Sequence, residues 1–254
     1  MTDTFPVMSE AAEFYYPGND TGVLVIHGFT GTTQSMHYFG KQLAEVGFTV
    51  FGPRLAGHGT DPKDMEKATY EDWIHTVEKG LGKLQTTCDH IFIAGLSMGG
   101  TLTLYLAEEY AGIKGIIPIN AAIHMPDLIE NYKTLKTTET RFVEGIGSDI
   151  KQEGVAELAY EETPVKSMRE LIVLSELVRN NLANVNAPAM IVSSAEDHVV
   201  PPENAREIYE SISSDTREFV LLEDSYHVAT LDHDKEQLAE KCVVFIKERL
   251  KENG

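Results

Sequence analysis

Ile91-Phe-Ile-Ala-Gly-Leu-Ser97-Met-Gly-Gly-Thr-Leu-Thr-Leu104 decides the reading of this chain. A short apolar run suited to a buried strand leads into Gly-x-Ser-x-Gly, and an apolar helical pattern follows through Leu102, Tyr105 and Leu106. Gly95 and Gly99 flank one serine in a turn so sharp that only small neighbours fit around it. Such a turn lifts a hydroxyl above the end of a strand, where a substrate can meet it. The five-residue pattern alone recurs by chance, and its plain reading is a tight turn with an incidental serine. The strand before it and the helix after it give the pattern its weight.

Working outward, five further apolar runs read as strands: Val23–His27, Phe48–Phe51, Gly115–Ile119, Ala189–Val192 and Glu218–Leu222. Continuous rather than alternating apolar runs suit strands covered on both faces, as in a parallel sheet between helices. Helical spacing alternates with them. Met36, Phe39, Leu43 and Val46 form one stripe that stops at Gly47. Thr69-Tyr-Glu-Asp72 resembles a capping box with Asp in place of Glu, ahead of Trp73, Ile74, Val77, Leu81 and Leu84. Leu238, Cys242, Phe245 and Ile246 make a C-terminal stripe. This alternation points to an open α/β sheet with helices on both faces.

One interval breaks the rhythm. Between Ile119 and Ala189 lie roughly seventy residues without a convincing buried strand, too many for a structureless loop in a compact domain. Thr163-Pro164 reads as an N-cap and first helical residue, with Val165, Met168, Leu171, Ile172, Ser175 and Val178 at helical spacing behind it. Residues 123–186 are therefore expected to form a helical cap inserted into a core of residues 1–122 and 187–254. Insertions after a sheet strand tend to sit over its C-terminal edge, where ligands bind in such folds.

Composition narrows the chemistry. The chain has 254 residues, 40 acidic against 21 basic, and a formal net charge of −19. Nucleic acids demand a basic face and anionic lipid surfaces a basic patch, so neither partner is expected, and an uncharged small molecule fits most easily. The two cysteines, Cys88 and Cys242, match no metal or redox spacing. The N-terminal Met-Thr-Asp-Thr-Phe-Pro shows no secretory pattern, and no run approaches the ~18 apolar residues of a membrane span. A cytoplasmic protein without stable membrane insertion is the expectation.

A serine hydroxyl needs a base to take its proton, and the base must itself be oriented and charge-stabilised. With a serine on a strand-to-helix turn, the partners follow in the order Asp or Glu, then His. The run Ala189–Val192 leads to Glu196 and Asp197, and Glu218–Leu222 leads to His227. All follow a strand's C-terminal end, the same sheet edge as Ser97. Among the nine histidines, His75 and His90 precede the turn, His198 adjoins the acid and His233 sits at a helix start; His227 stands out by position. Acyl transfer also needs two donors aimed at the developing oxyanion. The backbone N–H of Met98 is one candidate, and that of Phe29, in the loop His27-Gly-Phe-Thr-Gly31, is the other.

These residues resemble a known group. His27-Gly-Phe-Thr-Gly31, Gly57-His-Gly59, Gly95-Leu-Ser-Met-Gly-Gly100, Asp197-His-Val-Val-Pro201 and Ser225-Tyr-His-Val-Ala-Thr-Leu-Asp232 are similar to the α/β-hydrolase superfamily. More narrowly they resemble bacterial monoacylglycerol lipases and small carboxylesterases, including Gly145-Ile-Gly-Ser-Asp149 and Glu157-Leu-Ala-Tyr-Glu-Glu-Thr-Pro164. The resemblance favours Asp197 over Glu196 and implies a triad of Ser97, Asp197 and His227 with Phe29 and Met98 as oxyanion donors. It implies an α/β-hydrolase fold, a mostly parallel central sheet flanked by helices with a helical cap. It also implies hydrolysis of monoacylglycerols, or more generally of short- to medium-chain carboxylic esters, through an acyl-enzyme. No metal or organic cofactor is expected. Ile146 and Glu157 lie where such a cap would touch the acyl chain and the glycerol head group.

Overall fold

The computed structural model describes residues 5–251. Seven strands form one sheet: β1 (Phe14–Tyr16), β2 (Thr21–Ile26), β3 (Thr49–Gly52), β4 (His90–Leu96), β5 (Gly115–Ile119), β8 (Ala189–Ser194) and β9 (Arg217–Leu222). Their order is β1-β3-β2-β4-β5-β8-β9. Only β1 runs antiparallel, against β3. All six expected strands are present. Strand β1 was not among them, being three residues long and half-exposed.

The continuous apolar runs do serve two faces. Along β2, Val23 and Val25 join one hydrophobic cluster while Leu24 and Ile26 join the other; along β4, Phe92 and Ala94 oppose Ile91 and Ile93. Side chains alternate across a strand, so a strand covered on both sides must be apolar at every position. One layer consists of α1 (Gln34–Glu45) and α8 (Lys235–Lys251), whose Met36, Phe39, Leu43, Leu238, Cys242 and Phe245 pack with the first set. Helices α3 (Tyr70–Gln85), α4 (Met98–Glu109) and α7 (Glu203–Ser211) cover the opposite face with Trp73, Leu81, Leu102 and Ile208. The Thr69 and Asp72 side chains each accept from the other's backbone N–H at the start of α3, a complete capping box. Strand β9 departs from the expectation of a strand covered on both faces: it is the sheet's edge, and Phe219 and Leu221 are 40% and 48% exposed.

Between β5 and β8 lie α5 (Pro126–Leu135), a two-stranded antiparallel hairpin of β6 (Phe142–Glu144) and β7 (Glu162–Pro164), and α6 (Val165–Arg179). The segment is thus not purely helical. Thr163-Pro164 is also displaced from its expected role. Helix α6 begins at Val165, and Pro164, extended at φ −66° and ψ 128°, closes β7 opposite Phe142. Proline lacks a donor and suits the end of a short edge pairing. Among the described residues no helix is long and apolar enough to cross a membrane.

Candidate active site

The strand order reverses between β2 and β4, with β3 to one side and β5 to the other. The crevice above such a reversal, at the C-terminal ends of the strands, is where open α/β sheets bind ligands. Here it lies between the loop after β2, which carries Gly28 and Phe29, and the turn after β4, which carries Ser97.

Ser97 occupies a backbone conformation that L-residues rarely adopt, φ 57° and ψ −119°, before α4 begins at Met98. The glycines around it are sterically required. A Cβ on Gly95 would overlap the Gly99 carbonyl, and one on Gly99 would overlap the Ile26 carbonyl of β2. Gly28 in turn lets its loop approach Ser97, whose Cβ lies 3.3 Å from where a Gly28 Cβ would be. The Ser97 N–H donates to the Ile119 carbonyl at 2.8 Å, so neighbouring β5 holds the turn in place.

His227 and Asp197 meet behind the crevice, His227 Nδ1 lying 2.8 Å from Asp197 Oδ2 with both side chains almost wholly buried. The other Asp197 oxygen accepts from the backbone N–H groups of Val199 and Val200, each at 2.8 Å. Burial works against a charged His227 ring. The charge of Asp197, its hydrogen bond and the carboxylates of Glu157 and Asp149 outweigh burial, and the imidazole pKa stands above its ordinary value. Glu196 is half-exposed and within 4.0 Å of Lys151 Nζ, away from the imidazole. A cavity of about 320 Å³ is lined by Ser97, His227, Gly28 and Phe29 together with apolar Leu96, Met125, Leu128, Leu171, Val199 and Val228.

Phe29 lines the cavity, whereas the Met98 side chain is wholly buried. Met98 is not among the residues that line the cavity, and its backbone N–H, at the first position of α4, lacks an intrahelical acceptor. The Phe29 loop is held from both sides. Leu55 N–H donates to His27 Nε2 at 3.1 Å, which leaves the proton on Nδ1 to reach the Gly28 carbonyl at 2.9 Å. Burial and the neighbouring His58 push the His27 pKa down to about 3, so the ring stays neutral in these roles. Thr30 takes a positive φ of 60°, and its carbonyl accepts from Tyr160 N–H at 3.1 Å.

Ile146, 45% exposed, and Glu157 both line the cavity from the segment between β5 and β8. The Glu157 carboxylate projects over Gly31, where a Cβ would collide with it. Burial raises its pKa to about 7 against the opposing effects of His227 and a hydrogen bond with Ser35. Three residues that support the site were given no role by the sequence, although Asp149 and Asp232 each end a stretch that carries the resemblance. Asn120, at φ 45° after β5, donates to the His227 carbonyl at 2.7 Å and accepts from Ser194 N–H at 2.7 Å. Asp149 and Asp232 bond the backbone around His227. An asparagine just past a strand end was the only signal available for the first. For the two aspartates the signal was their place at the ends of Gly145–Asp149 and Ser225–Asp232, and nothing in those stretches told their carboxylates apart from the rest of 40 acidic residues.

The family model described as serine aminopeptidase, S33 (Hydrolase_4), matches residues 18–234. The chain is 47% identical over 245 residues to the thermostable monoacylglycerol lipase of Bacillus sp. (strain H-257), covering 96% of this chain and 98% of that protein. It is 30% identical over 241 residues to a carboxylesterase of Bacillus subtilis (strain 168), covering 92% and 95%. Among solved structures, one described with two metagenome-derived lipolytic enzymes superposes with a TM-score of 0.93 at 45% identity, covering 96% of this chain and 100% of that one. The parallel sheet, the serine turn at its switch point and these matches agree: the chain belongs to the serine aminopeptidase S33 family of the α/β-hydrolase superfamily.

Proposed function

We propose that this protein is a serine hydrolase that cleaves carboxylic esters, with monoacylglycerols as its substrates. The observation that carries the reading is the Asp197–His227 hydrogen bond of 2.8 Å beside a cavity that His227 shares with Ser97. In this mechanism Ser97 Oγ attacks the ester carbonyl while His227 takes its proton. Asp197 holds the Nδ1–H tautomer and stabilises the imidazolium. The N–H groups of Phe29 and Met98 receive the oxyanion. His227 then protonates the departing alcohol oxygen, and water hydrolyses the acyl-enzyme by the same route.

Residues 123–186 act in this reading as the cap over a core of 1–122 and 187–254. The apolar wall suits an acyl chain, and Glu157 is placed to accept hydrogen bonds from glycerol hydroxyls near the Phe29 loop. Ile146 sits half-exposed on the same wall, where the chain would pass. Two relatives named for ester cleavage, at 47% and 30% identity, support esters over peptides. The carboxylesterase relative also supports a second reading, a general short-chain esterase, and a cavity near the small end of ligand pockets is compatible with it. We also propose a cytoplasmic location, which the free thiols of Cys88 and Cys242 suit.

The test is kcat/KM for monoacylglycerols of graded length, p-nitrophenyl esters and an aminoacyl anilide, on the wild type and on Ser97→Ala. The expected result is highest for a monoacylglycerol and at least a thousandfold loss in Ser97→Ala. Preference for p-nitrophenyl acetate selects the general esterase, and turnover of the anilide alone overturns the ester reading.

A further inference from the structure

Asp149 belongs to the segment between β5 and β8, yet its bonds lie almost wholly with the two loops that bear Asp197 and His227. Its Oδ2 accepts from the backbone N–H of His198 at 3.1 Å and from that of His227, also at 3.1 Å. Its Oδ1 pairs with His198 Nδ1 at 2.8 Å, and its own carbonyl accepts from Val228 N–H at 3.0 Å. One carboxylate therefore spans the residue after Asp197 and His227 itself.

A second carboxylate crosses the same joint in the other direction. Asp232, wholly buried, follows His227 in the core and accepts from Lys151 N–H at 2.7 Å and Gln152 N–H at 2.9 Å. It also accepts from Tyr226 and His233 N–H, each at 2.8 Å. Asp232 thus anchors the 149–152 turn, and the anchored turn presents Asp149 to the acid and base loops.

We propose that Asp149 is a positioning residue for the Asp197–His227 pair, its carboxylate setting the separation of the two loops that carry them. The proposal rests on the triad reading above and adds that the inserted segment completes the triad as well as covering it. An acid–base pair held at 2.8 Å loses effect steeply with misplacement, since a shift of about 1 Å can cost on the order of a hundredfold in rate. The Asp149 charge acts as well. The carboxylates facing His227 are Asp197 from the loop after β8 and Glu157 and Asp149 from the insertion. Facing Asp149 is His198, with Glu196 and through it Lys151 beyond.

The test is steady-state kinetics from pH 5 to 9 on Asp149→Ala, Asp149→Asn and Ser97→Ala, with Glu153→Gln as an exposed control on the same segment and melting curves for all. Asp149→Ala should lower kcat about ten- to a hundredfold, with KM within about threefold and the acidic limb moved to lower pH. Asp149→Asn can still offer one oxygen to both N–H groups, so it should recover most of kcat while keeping the lowered limb. If Asp149→Ala does not fold, the limb of Asp149→Asn decides. Wild-type kcat and limb in the folded Asp149 variants overturn the proposal, as does a loss confined to KM. Activity retained in Ser97→Ala sinks the triad reading instead, whatever Asp149 does.

Discussion

At the scale of single residues, the carboxylates around His227 set the pH at which it could serve as the base of the proposed mechanism. The imidazole acts as a base only when neutral, and its pKa is raised by Asp197, Glu157 and Asp149 against burial. The rate should therefore climb with pH through a limb above the ordinary histidine value. Glu157, with its own pKa pushed up to about 7, ionises over the same range. Glu157→Gln removes a charge that helps hold the proton on His227, so the acidic limb of kcat/KM should move down. The same variant loses an acceptor for the glycerol head, and KM for a monoacylglycerol should rise several-fold with p-nitrophenyl butyrate little affected. Substrate-resolved pH profiles check both effects; an unmoved limb and equal KM changes would rule out both roles. The convergence of Ser97, Asp197 and His227 could be read from the sequence because each follows a strand end in a fixed order. The roles of Asn120, Asp149 and Asp232 could not, although both aspartates stand in stretches that carry the resemblance. All three act on backbone N–H and C=O groups brought together by the fold, and a backbone partner leaves no spacing to detect.

At the scale of elements, α4 carries both the best and the poorest fit between sequence and environment. Its N-terminus opens at Ser97, where the helix dipole would favour the negative charge of the proposed mechanism. Its last turn holds Glu108 and Glu109 with no basic residue, the unfavourable end of the helix dipole for an acid. Burial and then Glu109 raise the Glu108 pKa to about 8, and its Oε1 has no hydrogen-bond partner. The folded state thus binds this proton more tightly than the unfolded chain does, so stability falls as pH rises from about 4.5 to about 8. Glu108→Gln should be neutral at pH 4 and raise stability at pH 9 by roughly 1 kcal/mol, partial exposure moderating the effect. Denaturant midpoints at the two pH values test it, and equal shifts would contradict it. Elements buried on two faces were legible because burial writes an unbroken apolar run. The short β1, β6 and β7 leave only three residues each, half-exposed for the most part, and their pairing rather than their composition makes them strands. The edge position of β9 was equally hidden, since Phe219 and Leu221 read as core until the sheet order is known.

At the scale of the whole molecule, residues from 28 to 228 converge because the contributing loops leave the same edge of one mostly parallel sheet. The insertion bonds the loops after β2, β8 and β9: Tyr160 N–H donates to the Thr30 carbonyl, and Asp149 accepts from the N–H groups of His198 and His227. Sequence order and strand ends made this convergence foreseeable in outline, while the contacts that tie it together depended on three-dimensional register. The Ser97 turn has a consequence for how such a protein could be improved. A serine at φ 57° and ψ −119° holds a conformation that glycine takes freely, and strain of this kind costs on the order of 1–3 kcal/mol. Ser97→Gly should relieve it and melt above Ser97→Ala, which keeps the strained backbone. Both should be inactive, and identical melting temperatures would show the turn to be unstrained. Selection for thermal resistance alone would then favour discarding the proposed nucleophile, so any search for a hardier variant must score turnover and survival together.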